Sequence, residues 1–146
     1  MGVTLLSSNQ RWGKALAGQM EERGLSVCCT DIDDQQWLQE QWLDVIVVDL
    51  EGAGEFFSGV YPSVKRIAPF AQIIALYSPE MDSTALRDSH GKADRYLQRS
   101  SPPDQIIFAV VTAISRKNFF EKRVTDIRSN VQTQPRDDRN PELRKT

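Results

Sequence analysis

The feature that most constrains the fold is the apolar run Leu43-Asp-Val-Ile-Val-Val48, which stops abruptly at Asp49. Successive side chains of a strand point to opposite faces of a sheet, so a strand that is apolar at consecutive positions must be covered on both faces. Strands of this kind are typical of the centre of a parallel sheet with helices on both sides. The run therefore predicts the central strand of an α/β domain.

Shorter strand-like runs surround this segment and alternate with helical patterns. The runs are Val3–Leu6, Leu25–Thr30, Ile73–Leu76 and Arg95–Gln98. The intervening segments repeat apolar residues at helical spacing, and Trp12, Trp37 and Trp42 are expected to pack against the sheet. Asp33 or Asp34 is expected to cap the second of these helices. Glycines between Asp49 and Val64 predict that the next helix starts late or irregularly. The alternation predicts an α/β, doubly wound, five-stranded parallel sheet in a three-layer sandwich.

Composition sets further limits on function. A chain of 146 residues, 40% hydrophobic and 26% charged, is expected to form one domain. No apolar run approaches the roughly 20 residues of a membrane span, and no leader pattern is recognisable, so we expect a cytoplasmic location and no membrane contact. Cys28 and Cys29 are adjacent and His90 is the one histidine, which argues against a disulfide or a zinc site.

The carboxyl-terminal part differs in charge from the rest of the chain. Residues 1–114 hold 9 basic and 15 acidic side chains, whereas residues 115–146 hold 9 basic and 5 acidic ones. The basic residues of the tail are interleaved with acidic ones and lack aromatic neighbours that would stack on bases, so no nucleic-acid partner is expected. We predict a domain over residues 1–117, a possible extension of the last helix over 118–131, and a disordered polar tail over 132–146.

Polar side chains follow the predicted strands at the edge where α/β sheets gather their chemistry. They are Ser7-Ser8-Asn9, Asp49, Tyr77-Ser78 and Arg99. The order and spacing of these segments over residues 3 to about 117 resemble the receiver domain of two-component response regulators, which has a flavodoxin-like fold. The local matches are Leu43-Asp-Val-Ile-Val-Val-Asp49-Leu50 and Ala93-Asp-Arg-Tyr-Leu97.

The resemblance implies a role for each matching position. Asp49 corresponds to the phosphoacceptor of receivers, and Tyr96 corresponds to their switch aromatic. The acidic pair that holds Mg²⁺ in the family is replaced by Ser7 and Ser8. The positions that contact the phosphoryl group are taken by Tyr77, with Ser78 one residue later, and by Arg99 where the family has lysine; Ser100 stands at the family's proline position.

These departures predict a regulatory protein without catalysis or a cofactor. Neutral hydroxyls attract a hard cation far less than two carboxylates do, so Asp49 should be a poor phosphoacceptor. We expect instead a direct ion pair between Asp49 and Arg99 that holds the site in one state. The favoured hypothesis is an atypical response regulator that acts through protein–protein interaction, with a histidine kinase or a downstream effector as partner, largely independently of phosphorylation.

Two alternatives remain open. In the first, Asp49 is a functional phosphoacceptor that binds Mg²⁺ with Glu51 or Asp31 as substitute ligands. In the second, Ser7-Ser8-Asn9 forms a pocket that senses a small anion or a nucleotide, since hydroxyls before a helix N-terminus favour negative charge. Capping of the helix by Ser8 or Asn9 is the simpler interpretation of that loop.

The last helix carries more apolar residues than one core-facing stripe can bury. We predict that Ile107, Val110, Val111 and Ile114 face the core. The interface candidates are Ile106, Phe108, Phe119, Phe120, Val124 and Ile127. Phe120, Val124, Ile127 and Val131 also recur at the spacing of a heptad seam, which predicts a helix continuing past residue 120 and a possible homodimer.

Overall fold

The sheet has five parallel strands. The computed structural model describes residues 2–31, 43–51, 56–79 and 84–133. The strands are β1 (Gly2–Leu6), β2 (Ser26–Thr30), β3 (Val45–Asp49), β4 (Gln72–Tyr77) and β5 (Arg95–Gln98). Their order is β2-β1-β3-β4-β5, and every neighbouring pair is parallel. The predicted doubly wound parallel sheet is therefore confirmed.

The helices connect the strands as expected. They are α1 (Gln10–Glu22), α2 (Tyr61–Ile67), α3 (Thr84–Asp88) and α4 (Pro103–Thr133). A π-helical turn at Phe56–Val60 precedes α2, so the predicted irregular start of that helix is found. The predicted helix after β2, with its capping Asp33 or Asp34 and with Trp37 and Trp42, lies outside the described residues.

Two apolar clusters fill the space on either side of the sheet. One cluster joins the sheet to α1 and α4, through residues such as Leu16, Met20 and Val110. The other joins the opposite face to the π-helical turn and α2, through Phe56, Phe57 and Val64. All five residues of β3 are buried, and they alternate between the two clusters until Asp49 ends the strand. The three-layer arrangement follows from this alternation.

Asn9 precedes the first residue of α1, and Gly24 lies just beyond its last turn. The Asn9 side chain caps the helix by accepting a hydrogen bond from Trp12 N at 3.1 Å. At the other end Gly24 has φ +86°, a conformation that glycine adopts without steric cost. Within α1, a Cβ atom on Gly13 would lie 2.9 Å from Cys29 Sγ on β2. The glycine therefore lets the helix pack closely against the sheet edge.

The inward face of α4 is turned slightly from the predicted one. Ile106 is 1% exposed and packs in the core, so its assignment to an interaction surface is wrong. Val111 is 46% exposed, so its assignment to the core stripe is also wrong. Ile106, Ala109, Val110 and Ala113 form one buried side of the helix, which leaves Val111 on the other side.

The helix is continuous to Thr133 and is about 46 Å long at 1.5 Å per residue. It thus includes residues 118–131, for which an extension is predicted, while residues 134–146 lie outside the described residues. Phe108, Phe119, Phe120 and Ile127 are exposed, and Val124 is half-buried. Their role as an interface stays a prediction. Among the described residues, no helix has the length and apolar character needed to cross a membrane.

The close packing at Gly13 is testable by a double-mutant cycle. Gly13→Ala should destabilise the native chain by about 1 kcal/mol or more, because overpacking outweighs the ~1 kcal/mol gain in helix propensity. In a Cys29→Ala background the same change should become stabilising, as measured by the free energy of unfolding in denaturant.

Gly18→Ala is the matched control, because among the described residues no atom outside the local backbone of α1 and the two chain neighbours lies within 4 Å of a Cβ placed at Gly18. It should stabilise both backgrounds alike. Equal effects of Gly13→Ala in the two backgrounds would contradict the proposed contact with Cys29.

Candidate functional site

The polar residues predicted at the strand ends lie together at the carboxyl edge of the sheet. Ser7 follows β1, Asp49 ends β3, Tyr77 ends β4 and Arg99 follows β5. The chain reverses its direction of winding between β1 and β3, and doubly wound sheets bind their ligands in the crevice outside such a point. Asp49 therefore occupies the position where this fold places its functional chemistry.

The Asp49 carboxylate is enclosed by residues of the chain. The residue is 1% exposed. Its Oδ1 accepts a hydrogen bond from Glu51 N at 3.2 Å, and its Oδ2 accepts one from Ser7 Oγ at 3.0 Å. The same Oδ2 lies 3.1 Å from Arg99 Nε, so the expected ion pair between Asp49 and Arg99 is present. Both carboxylate oxygens therefore have partners within the chain.

The environment of Asp49 disfavours its charge in spite of these partners. Burial raises the pKa of the Asp49 carboxyl above its ordinary value, and the Arg99 charge and the hydrogen bonds from Ser7 and Glu51 N offset only part of that rise. A buried carboxylate that lost the arginine would be left uncompensated, which is strongly unfavourable. Arg99 is therefore required for a stable ionised Asp49.

Three contacts hold the Arg99 guanidinium in place. Besides the Asp49 contact, its NH1 donates to Glu51 Oε1 at 2.9 Å, and its Cζ lies 4.8 Å from the centroid of the Trp12 ring. The buried Nε forms no hydrogen bond, so its contact with Asp49 is an electrostatic one between poorly aligned groups. The guanidinium of Arg99 thus contacts two carboxylates and the face of an aromatic ring.

The residues present do not fit the Mg²⁺ that the receiver fold implies. Ser7 Oγ is committed to Asp49, and Ser8 Oγ donates to the Glu51 carbonyl at 3.4 Å. In the part of the chain that the structure describes, no group of three or more acidic, histidine or cysteine side chains is placed to hold a metal ion. Hydroxyls and an arginine therefore stand where a hard cation would need charged oxygen ligands.

The remaining predicted positions contribute less to the site. Tyr77 is half-buried, and its backbone carbonyl accepts a hydrogen bond from Arg99 N at 2.8 Å. Ser78 is also half-buried, directly after the strand. Tyr96 is 38% exposed, and its hydroxyl lies 2.8 Å from Ser89 O and 2.9 Å from Ser89 Oγ. These bonds tie Tyr96 to the turn after α3 rather than to Asp49.

Sequence reasoning missed three partners in this region. Trp12 is predicted as a core residue, and it does pack on the core, but its ring also faces Arg99. Its place in the first turn of α1 is a usable signal, because that turn begins at the carboxyl edge of the sheet. Glu51 as a partner of Arg99 carries no comparable signal, since the two residues are 48 positions apart. Ser89 as a partner of Tyr96 also carries none, because their contact depends on how the turn after α3 folds back onto β5.

Solved structures of response-regulator proteins share this fold. The receiver domain from Clostridium thermocellum is 18% identical, with a TM-score of 0.67 over 82% of this chain and 98% of its own. The receiver domain of the Francisella response regulator 1452 is 18% identical, with a TM-score of 0.63 over 79% of this chain and 97% of its own. NtrX from Brucella abortus, solved with ADP, is 14% identical, with a TM-score of 0.73 over 91% of this chain.

The match to NtrX covers only 30% of that longer protein. No protein-family model matches the sequence, and no curated protein is significantly similar to it. At identities this low the comparisons show the fold alone. That fold is the receiver fold, as the strand-end motifs predict.

The raised pKa of Asp49 predicts a characteristic dependence of stability on pH. As pH rises, the unfolded chain releases this proton near the ordinary value of 3.8, before the folded chain does, so the contribution of Asp49 to stability falls across that window. Asp49→Asn removes this titration. The free energy of unfolding of the variant minus that of the native chain should therefore increase from acid to neutral pH, as measured by denaturant titrations.

Asp44→Asn is a control of opposite sign. Burial raises the pKa of Asp44, but the Lys117 ammonium and the Gly2 N–H outweigh this and bring the pKa below 3.8. Asp44 therefore stabilises the fold above that pH, and this contribution is lost as pH falls. The free energy of unfolding of Asp44→Asn minus that of the native chain should therefore become more negative from acid to neutral pH. Parallel trends for the two variants would contradict this account.

Proposed function

We propose that this chain is an atypical receiver in two-component signal transduction that regulates through protein–protein contacts, without phosphorylation of Asp49. The observation that carries the proposal is the enclosure of the Asp49 carboxylate by Ser7, the Glu51 amide and Arg99. The proposal includes protein partners such as a histidine kinase or an effector. The proposal includes a cytoplasmic location. It assigns the chain no catalytic activity, no cofactor, and no nucleic-acid or membrane partner.

The chemistry of phosphoryl transfer supports this reading of the site. Catalysis of that reaction depends on positioning and on cancelling the charge of the transferred group, to which a metal ion contributes much. Here Arg99 already offsets part of the charge of the carboxylate, and the hydroxyls of Ser7 and Ser8 supply no charge for a cation. To reach Asp49 Oδ2, an incoming phosphoryl group would have to displace Ser7, Arg99 or both, and at Oδ1 it would compete with the Glu51 N–H.

A working phosphoacceptor is the second candidate, and one observation favours it. Asp49 ends the central strand with a cationic side chain 3.1 Å away, which is the arrangement that a phosphorylated aspartate needs for charge neutralisation. This candidate requires Arg99 to leave Glu51 and turn toward the phosphoryl group. The anion-sensor hypothesis has less support, because the side chains of Ser7 and Asn9 already have partners within the chain.

The two candidates are separated by an amide NMR titration with Mg²⁺ followed by beryllofluoride. We expect no saturable shifts at Asp49, Ser78 or Arg99 at low-millimolar Mg²⁺, and none on adding beryllofluoride. An intact receiver domain that retains its acidic pair is the positive control under the same conditions.

Asp49→Asn serves as the matched variant in this titration. Shifts in the native chain that saturate and disappear in Asp49→Asn would identify a functional phosphoacceptor site and overturn the proposal. Small shifts that persist in Asp49→Asn would reflect cations bound elsewhere and would leave the proposal standing.

A further inference from the structure

The face of α4 that packs on the sheet continues beyond the sheet. Successive inward residues are spaced by four and then three positions, which keeps them on one side of a helix. They are Ile106, Val110, Ala113, Lys117, Phe120, Val124 and Ile127. The first three are buried against the sheet, whereas Phe120 is 41% exposed and Ile127 is 56% exposed. One stripe therefore has a covered part and an uncovered part.

Lys117 marks the boundary between these two parts. Its Nζ lies 2.7 Å from Asp44 Oδ1, and Asp44 directly precedes β3 at the amino edge of the sheet. Asp44 Oδ2 in turn accepts a hydrogen bond from Gly2 N at 2.7 Å, which ties the start of β1 to the same point. The helix is thus anchored at the edge of the domain. Residues 118–133, which we term the terminal segment, extend about 24 Å farther.

A packing partner would stabilise the terminal segment. Most helical stability in proteins comes from packing of an apolar face. Phe120, Val124 and Ile127 follow the alternating spacing of a coiled-coil seam. A second helix lying along that seam would bury the side chains that the sheet leaves exposed.

The charges beside the seam identify which helix fits. Glu121 and Arg128 lie on one flank of the seam, seven residues apart, and Arg123 lies on the other flank. In a parallel pair, opposite flanks face each other, and Arg123 of one chain would meet Arg128 of the other. In an antiparallel pair, like flanks face each other, and Glu121 of each chain would meet Arg128 of its partner.

The antiparallel arrangement forms its favourable pairs twice, once on each side of a twofold axis. Such self-complementarity is the property of an isologous interface between identical chains. Arg116, which would favour a parallel pair by facing Glu121, lies alongside the sheet with Asp94 and Arg95 rather than on the terminal segment. Glu121 is 50% exposed in its ion pair with Lys117, so it remains accessible to a second chain.

From these observations we propose that two copies of this chain associate through antiparallel packing of their terminal segments. The seam is formed by Phe120, Val124 and Ile127, and Glu121 and Arg128 form reciprocal ion pairs across it. This deepens the proposed function by naming a partner, a second copy of the chain. The dimer would have a regulatory role only if the proposed function holds. Its formation does not depend on that function, because the seam is distant from Asp49 in the sequence and does not involve it.

The seam is tested by sedimentation velocity of the full chain over a range of concentrations. Ile127→Ser should weaken self-association at least about tenfold, because the lost burial counts once in each copy. Phe119→Ser is the matched control, since Phe119 has nearly the same exposure, 57%, but lies off the seam. It should change the dissociation constant by less than about twofold, well under the 1.4 kcal/mol that corresponds to a factor of ten.

The orientation is tested by reversing one charge. Arg128→Glu places two glutamates opposite each other in the antiparallel pair and should weaken association, whereas in a parallel pair it would meet Arg123 and strengthen association. The double variant Glu121→Arg/Arg128→Glu should restore the native dissociation constant, because it exchanges the members of each pair.

Three results would overturn the proposal: a monomer at every concentration, a dimer broken by Phe119→Ser but not by Ile127→Ser, or a dimer strengthened by Arg128→Glu. None of them bears on Asp49, whose state is read by the NMR titration. Failure of the dimer and failure of the proposed function are therefore distinguishable.

Discussion

The central strand β3 buries all five of its residues, and its side chains divide between the two apolar clusters of the domain. The helical layers on both faces depend on this strand, because each cluster is built around alternate members of it. The last of the five residues is Asp49, so the same burial that organises the core encloses a carboxylate. Removing a charge from water is costly unless partners compensate, and the surrounding contacts at the carboxyl edge supply part of that compensation.

The partners of Asp49 come from separate parts of the chain. Ser7 lies at the end of β1, Glu51 lies two residues beyond β3, and Arg99 follows β5. Their meeting point is the edge where receivers carry out phosphoryl transfer, yet each partner uses the carboxylate for an internal contact. Asp49 therefore lies at the strand end that the resemblance matches to a phosphoacceptor, with the bonding pattern of a structural ion pair. This contrast is the physical basis for proposing regulation without phosphorylation.

Helix α4 lies in two different environments and keeps one spacing of apolar residues through both. Its first half covers the sheet, where Ala109 and Ala113 are buried, and Lys117 then ties it to Asp44 at the domain edge. Its second half repeats the same spacing with Phe120 and Ile127, which the described part of the domain leaves exposed, and with Val124, which is half-buried. An apolar stripe longer than the surface available to it indicates contact with another surface. In this protein the contact is proposed to be a second copy of the same stripe.

Much of the architecture was determined by the sequence itself. The apolar run before Asp49, the alternation of strand and helix patterns, and the motifs at the strand ends together predict the parallel receiver-like sheet. The residue types at the edge also predict the Asp49–Arg99 ion pair, since opposite charges at the ends of parallel strands meet at one edge. These features follow from local periodicity and chain order, which a sequence displays directly.

Tertiary structure decided the details that depend on rotation and distance. The sequence could not show that Ile106 faces inward while Val111 faces out, because that outcome depends on how the helix is rotated against the sheet. Nor could it show that Trp12 and Glu51 share Arg99, or that Ser7 and the Glu51 amide occupy both oxygens of Asp49. Apart from the local bond between the Glu51 amide and Asp49, these contacts join residues far apart in the chain, and only the packing of the layers brings them within bonding distance.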